Sequence, residues 1–274
     1  MRPPIWQVRS ELAKGAHGEY ILGKVRINAM RSIDVVMLTK NSDRFLRACL
    51  KSVYENVPVR RLIVIDAYSF DNTHGILAEF EQIYRNIDII SKKGSRGEAR
   101  QRGIQEAQTD WFLFVDSDVV LCKNWFSKAS RRIEENVGAV WGVDVPGDVN
   151  NRILIKMFKW MEGRVFAIRG GCHDILIRKE AVKDIRIPKH LHVLEDAYIK
   201  EWIEAKNMKV IVDYSSTCRH YKQMDSLLSR ENVSSEVFEL KNFKHMQERL
   251  VYASAFALTW LLQQVKSRST ERDL

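Results

Sequence analysis

Three times in the first half of the chain an apolar run stops abruptly in a polar turn. Ile33-Asp-Val-Val-Met-Leu38 ends in Thr39-Lys-Asn-Ser42, Leu62-Ile-Val-Ile65 ends at Asp66, and Trp111-Phe-Leu-Phe-Val115 ends in Asp116-Ser-Asp118. Runs this short and this apolar read as strands buried on both faces. Between them the period changes. Phe45, Leu46, Cys49, Leu50, Val53 and Tyr54 recur at helical spacing up to Asn56 and Pro58, and Ile76, Leu77, Phe80, Ile83 and Tyr84 do so again before a further strand at Ile87 to Ile90. Ser95-Arg-Gly-Glu-Ala-Arg-Gln-Arg-Gly103 then leads into a helix containing Ile104 and Ala107. Alternating strands and helices imply parallel strands joined by right-handed crossovers. Ligands of such sheets bind beyond the carboxyl ends of the strands. Thr39, Asp66, Asp116 and Asp118 are therefore predicted to meet on one edge.

The third of these strand ends carries the most chemistry. Asp116 and Asp118 cannot both sit ionised at the mouth of an apolar strand without a positive partner, since burial and mutual repulsion each favour the protonated form. A hard divalent cation, Mg2+ or Mn2+, suits carboxylate oxygens and shares its shell with substrate phosphates. An Asp- and Ser-rich turn that merely caps a strand accounts for this stretch equally well. The formal charge of +9 points to acidic partners, whether nucleotide diphosphates, anionic lipid head groups or nucleic acid. Its basic residues are scattered rather than gathered in a block. Cys49, Cys122, Cys172 and Cys218 lie far apart without C-x-x-C spacing, which argues against a zinc site and a dense disulfide framework and fits a reducing compartment.

The second half is patterned differently. After a helix marked by Trp125, Phe126, Ala129 and Ile133, the segments Val137 to Val145 and Cys172 to Arg178 alternate, which predicts a mixed or antiparallel extension of the sheet. Ile153 to Phe166 reads as helical, and Arg164, Arg169 and Arg178 as solvated or structural. Leu194-Glu-Asp-Ala-Tyr-Ile-Lys-Glu-Trp202 opens a helix with two acids in its first turn, followed by the strand Lys209-Val-Ile-Val212 and by Arg219-His-Tyr-Lys222. The expected organisation is an N-terminal arm (1–31), one α/β domain (32–222, divided at 145/146 into a nucleotide half and an acceptor half) and C-terminal helices (223–274).

In order, these motifs resemble the family-2 glycosyltransferases of the GT-A fold, a Rossmann-like mixed sheet with helices on both faces. The match runs through Thr39-Lys-Asn41, Asp66-Ala-Tyr-Ser-Phe-Asp71, Gly94-Ser-Arg-Gly-Glu-Ala-Arg-Gln-Arg-Gly103, Asp116-Ser-Asp118 as a D-x-D motif, and Glu195-Asp196. The resemblance implies inverting transfer of a sugar from a nucleotide-sugar donor with a divalent metal. By position, Thr39, Asn41 and Asp66 would line the nucleoside pocket and Arg100 would lie near the nucleotide. Asp118 would hold the metal, with Asp116 on the ribose or on a metal-bound water. Asp196, or else Glu195, would be the general base, while His220 would add a metal or diphosphate contact and Lys222 a phosphate contact. Ala67 and Tyr68 stand where family members carry a second acid and a glycine, so the resemblance names no nucleotide.

Rival readings exist for several of these groups. Two acids suit any helix N-terminus, and a histidine after a strand is commonly just hydrogen-bonded. Phe-Val-Asp-Ser-Asp-Val-Val also resembles the aspartyl-phosphate motif of haloacid-dehalogenase-like Mg-dependent phosphatases, although there the motif follows the first strand. A non-catalytic nucleic-acid-binding protein is suggested by charge alone, without a recognisable module, so no nucleic-acid partner is expected. The stripe Tyr252, Phe256, Trp260 and Leu261 reads as core, as a homodimer face, or as a peripheral membrane contact through 241–268 flanked by Lys241, Lys244, Arg249, Lys266 and Arg268. The last would suit a polyprenyl-phosphate acceptor in place of a glycan. The opening Met1-Arg-Pro-Pro-Ile-Trp6 has no apolar leader core, and Leu250 to Val265 is shorter than the roughly 20 residues that span a bilayer. The expected location is cytoplasmic, at most peripheral at the inner face of the membrane.

Overall fold

The computed structural model describes residues 32–147, 149–189, 191 and 195–221. The expected N-terminal arm, Lys222 and the C-terminal helices lie outside them. The strands are β1 (Ile33–Thr39), β2 (Val59–Asp66), β3 (Ile87–Ser91), β4 (Trp111–Asp116), β5 (Val119–Leu121), β6 (Val137–Pro146), β7 (Asp174–Arg178) and β8 (Lys209–His220). The helices are α1 (Asp43–Asn56), α2 (Thr73–Tyr84), α3 (Arg96–Glu106), α4 (Trp125–Ala129), α5 (Arg152–Arg169), α6 (Lys179–Val182) and α7 (Glu195–Ala205).

All eight strands form one sheet in the order β3-β2-β1-β4-β7-β6-β8-β5. Strands β3, β2, β1 and β4 are parallel, as the strand-helix alternation requires, and β7 then enters antiparallel to both β4 and β6. Because side chains alternate across a strand, the apolar runs feed two cores. Val35, Met37, Leu62, Val64, Leu113 and Val115 face α1, α2 and α4. Val36, Ile63, Ile65, Phe112 and Phe114 face α3, α6 and α7. Truncating a side chain as enclosed as Leu113 to alanine would cost about 2–5 kcal/mol.

Three local differences from the sequence reading bear on function. Helix α3 begins at Arg96, earlier than the apolar residues Ile104 and Ala107 suggest. Ser95 and Glu98 form a reciprocal capping box, the Ser95 hydroxyl accepting from Glu98 N and the Glu98 carboxylate accepting from Ser95 N, both at 3.1 Å. This early start makes Arg100 part of the helix and turns it toward the sheet. Strand β6 is buried along nearly its whole length instead of alternating, because it lies between β7 and β8 and helices cover it. Strand β8 runs far past Val212, and the three-residue β5 pairs with its end, setting Val119 opposite His220. A strand as short as β5 has no period to detect.

Candidate functional site

The carboxyl ends of β1, β2 and β4 are adjacent by register, with Thr39 opposite Asp66 and Leu38 opposite Asp116. The Thr39 hydroxyl donates to Asp66 at 2.8 Å. Asp66 also accepts from the Ser69 amide (2.9 Å) and hydroxyl (2.6 Å), and lies 3.1 Å from His74 Nε2. Burial alone would raise the Asp66 pKa, but these donors and the nearby His74 hold it below the usual carboxylate range. Asp66 is fully buried and Thr39 nearly so. They therefore brace the two strand ends from within. Asn41 performs a related task, its amide donating to the Ser69 hydroxyl at 2.8 Å and its side-chain oxygen accepting from Phe70 N at 3.0 Å.

This bracing holds Tyr68 at φ 57°, a left-handed conformation that a bulky side chain rarely adopts. Tyr68 is 55% exposed, and Lys93 Nζ lies 5.4 Å from its ring centre. The position where the resemblance places a glycine is thus filled by a presented aromatic ring.

The two acids of the D-x-D segment diverge. Asp116 accepts from Arg100 Nη2 at 2.6 Å, and Arg100 is buried with its guanidinium 4.8 Å from the Phe114 ring centre. Burial opposes the Arg100 charge, yet Asp116 and the other acids around it raise its pKa. Arg100 therefore acts through Asp116, orienting it from beneath. Between the two acids, the Ser117 hydroxyl donates to Ser42 Oγ at 2.9 Å, tying the turn to the start of α1.

Asp118 turns the other way. Its Oδ1 lies 3.3 Å from His220 Nε2, and its carbonyl accepts from Tyr221 N at 3.0 Å. The β5–β8 ladder explains the meeting of groups so distant in sequence. The opposite ring nitrogen, His220 Nδ1, lies 3.0 Å from Asp144 Oδ2 on β6. Behind it His173 Nδ1 is 2.6 Å from Asp174 Oδ1, and Asp174 Oδ2 accepts from Trp125 Nε1 at 2.7 Å. Gly142 makes that last bond possible, since a Cβ there would strike the Asp174 carboxylate and the Trp125 indole nitrogen. Burial opposes protonation of His173, but the Asp174 and Asp144 carboxylates outweigh it and raise its pKa.

The residues present fit a divalent cation. Cis ligands of an octahedral ion with bonds of about 2.1 Å are separated by roughly 3 Å, close to the 3.3 Å between Asp118 and His220. Both donors are of kinds that Mn2+ accepts. A second grouping, His173, Asp174 and Cys218, also has ligand atoms within 4.8 Å of one another, but it is sealed in the core. Burial keeps the Cys218 thiol pKa well up, so the thiolate a metal requires is disfavoured there.

The predicted base pair opens α7. Glu195 is buried, and burial together with neighbouring Asp196 pushes its pKa up to about 7 against the pull of Arg100 and Arg96. Asp196 is partly exposed and accepts from Ala197 N at 2.8 Å. Arg100 thus feels the charges of both Asp116 and Glu195, which links the D-x-D turn to the start of α7. Arg178, by contrast, has a structural role, donating to the Glu134 and Glu135 carbonyls and lying over Trp111. Asp144 and His173 escaped the sequence reading. The available signal was an acid within the apolar strand Val137–Pro146, where a carboxylate needs a reason to be.

The glycosyl transferase family 2 model matches residues 34–175, just over half of the chain and including the strand ends at Thr39, Asp66 and Asp116. The poly(ribitol-phosphate) beta-glucosyltransferase of Bacillus spizizenii is 26% identical over 200 residues, covering 66% of this chain and 31% of that protein. The chain spans between 21% and 37% of the length of the first curated relatives it matches. Among solved structures, the mannosyltransferase PcManGT of Pyrobaculum calidifontis, in complex with GDP-Man and Mn2+, superposes with a TM-score of 0.59 at 15% identity, covering 90% of this chain and 70% of that one. Staphylococcus aureus TarS 1–349 in complex with UDP-GlcNAc does so with a TM-score of 0.55 at 20% identity, covering 82% of this chain and 71% of that one. The ordered strand ends, the sheet that gathers them and these likenesses agree: the chain belongs to glycosyltransferase family 2 and has the GT-A fold.

Proposed function

We propose that this chain catalyses inverting, divalent-metal-dependent transfer of a sugar from a nucleotide-sugar donor to an acceptor hydroxyl. The observation that carries the reading is the meeting of Asp118 and His220 at 3.3 Å on the edge where Asp66 and Asp116 also end their strands. Asp118 and His220 would hold Mn2+ or Mg2+, which supplies Lewis-acid neutralisation for a departing nucleoside diphosphate. Asp116, fixed by Arg100, is left to orient the donor ribose or a water. Asp196 takes the acceptor proton as the hydroxyl oxygen bonds to the anomeric carbon. The bond from that carbon to the diphosphate breaks on the opposite side. Glu195, largely protonated below pH 7, leaves Asp196 as the accessible base.

The net charge of +9 and the relatives named for poly(ribitol-phosphate) favour a phosphate-bearing polyol or glycan as acceptor. Among the described residues no helix is long and apolar enough to cross a membrane. The segment 241–268, on which a polyprenyl-phosphate acceptor would depend, lies outside them. Thermal-shift screening of nucleotide-sugars with Mn2+ should find a stabilising donor, since a ligand that binds the native state raises apparent stability. Transfer to polyribitol phosphate and to a polyprenyl phosphate would then separate the acceptors. If no nucleotide-sugar stabilised the chain in the presence of Mn2+, the proposal would fail.

A further inference from the structure

The donor and metal reading leaves a row of side chains behind His220 without a task. From the surface inward the row runs Asp118, His220, Asp144, His173, Asp174 and Trp125. The spacings are 3.3 Å from Asp118 to His220, 3.0 Å from His220 to Asp144, and 3.9 Å from Asp144 Oδ1 to His173 Nε2. Inside these, His173 to Asp174 measures 2.6 Å and Asp174 to Trp125 2.7 Å. Beyond the first acid, every member is at most about a tenth exposed. The Asp144–His173 step is an ion-pair spacing with no hydrogen bond across it, so charge attraction joins the outer part of the row to the inner part.

From this geometry we infer that Asp144 is a positioning residue for the metal site, with His173 supporting it; the inference rests on the proposed role of His220. With a cation on Nε2, Asp144, 3.0 Å from His220 Nδ1, would accept the Nδ1 proton and fix the tautomer whose Nε2 lone pair faces the ion. A metal-ligating histidine needs its other nitrogen engaged in this way, and removing the partner typically weakens metal affinity 10–100-fold. The backbone supports the same assignment. Asp144 pairs with Cys218 and Pro146 with His220 along β6 and β8, so the carboxylate and the imidazole are carried by neighbouring strands in fixed register. His173 also contributes its carbonyl, which accepts from Asp116 N at 3.0 Å. One residue thus touches both branches of the D-x-D turn.

Two measurements on the full chain test the inference. In the first, Mn2+ is titrated by electron paramagnetic resonance, alone and with UDP or GDP. Asp144→Asn should weaken Mn2+ by roughly 10–100-fold while circular dichroism and nucleotide binding without metal stay at parent values, and His173→Gln should weaken it less. In the second, nitrogen-15 shifts of His220 are read in the parent saturated with diamagnetic Mg2+, where the Nδ1–H tautomer is expected. Asp144→Asn should mix the tautomers, because an asparagine amide can donate as well as accept. An Nε2–H tautomer in the Mg2+-saturated parent would overturn the inference even if Asp144→Asn failed to fold. Loss of Mn2+ affinity in Asp118→Ala and His220→Ala but not in Asp144→Asn would sink the positioning role alone. Unchanged affinity in all three would sink the metal reading beneath it.

Discussion

The two ends of the parallel strands carry the same kind of residue and treat it in opposite ways. At the amino end of β1, Asp34 is fully buried and its carboxylate accepts from Arg60 Nε at 2.8 Å, Arg60 Nη2 at 2.9 Å, Gln108 N at 2.6 Å and Thr109 N at 3.3 Å. Burial alone would raise its pKa, and these donors lower it. At the carboxyl end, Asp118 is 35% exposed, with His220 Nε2 3.3 Å from its Oδ1. A carboxylate closed on four donors has no capacity left for a ligand and serves to staple β1 to β2 and to the start of β4. One that is exposed to solvent on the ligand-binding edge of the sheet can still meet a ligand. Accessibility of the oxygens, more than residue type, separates the structural acid from the candidate ligand.

Breaking the open end should give the largest effect. Asp118→Ala is expected to reduce transfer on the order of a thousandfold, since Lewis-acid stabilisation of a leaving group amounts to several kcal/mol. Thermal stability should fall only modestly, because Asp118 is itself partly exposed and its ion-pair contact lies at the edge of the sheet. Loss of fold together with activity would place Asp118 in the structural class with Asp34.

Breaking the closed end should do the reverse. Asp34→Ala leaves a guanidinium and two backbone amides without their acceptor, for a destabilisation of about 3 kcal/mol by denaturant titration. Activity per folded molecule should be retained. The sign with pH follows from the lowered pKa of Asp34. Its contribution is present above the ordinary carboxylate range and is lost as pH falls through the folded-state value. The parent's advantage over Asp34→Ala should therefore shrink on acidification.

Glu195 sharpens the comparison, being an acid at the active edge that burial treats as harshly as it would a core residue. Its folded pKa of about 7 lies above the unfolded value, so the native state binds the extra proton. Stability is full below the unfolded pKa and declines as pH rises toward 7. Glu195→Gln keeps a neutral group there and should gain on the parent between pH 5 and pH 8, by on the order of 2–3 kcal/mol. A gap between the two that stayed constant across this range would remove the buried-acid account.

Much of this arrangement was legible in the sequence because parallel strands buried on both faces leave an unmistakable apolar run. Ile33–Leu38, Leu62–Ile65 and Trp111–Val115 located the first half of the sheet, and its edge followed from topology. Thr39, Asp66 and Asp116 were brought together as expected. The partner of Asp118 was harder to see, because it arrives through β5 and the far end of β8. The first has only three residues, and the second bends where Asp213 accepts from Ser215 and Ser216. Asp144 and His173 were illegible for a related reason. Their meaning lies in cross-strand register, which periodicity does not encode. The Arg100–Asp116 bond was not legible, since the capping box that turns Arg100 inward is a hydrogen-bond pattern and not an apolar one.

The smallest expected effect concerns the loop that follows β2 at the carboxyl end, where Tyr68 is held at φ 57°. A left-handed conformation costs a side-chain-bearing residue roughly 1–2 kcal/mol. Tyr68→Gly relieves that strain but gives the unfolded chain more freedom, about 0.4–1 kcal/mol in the opposite direction. The two nearly cancel, so stability should change by less than about 1 kcal/mol. Nucleotide affinity should respond more. The half-exposed ring with Lys93 at its face stands where the family resemblance places the base-contacting segment. Stacking of a base on an aromatic ring contributes about 1–3 kcal/mol, and losing the weaker end of that range means a several-fold rise in the dissociation constant by calorimetry. An unchanged constant would assign Tyr68 to the closed, structural class and leave base recognition to the neighbouring strand ends.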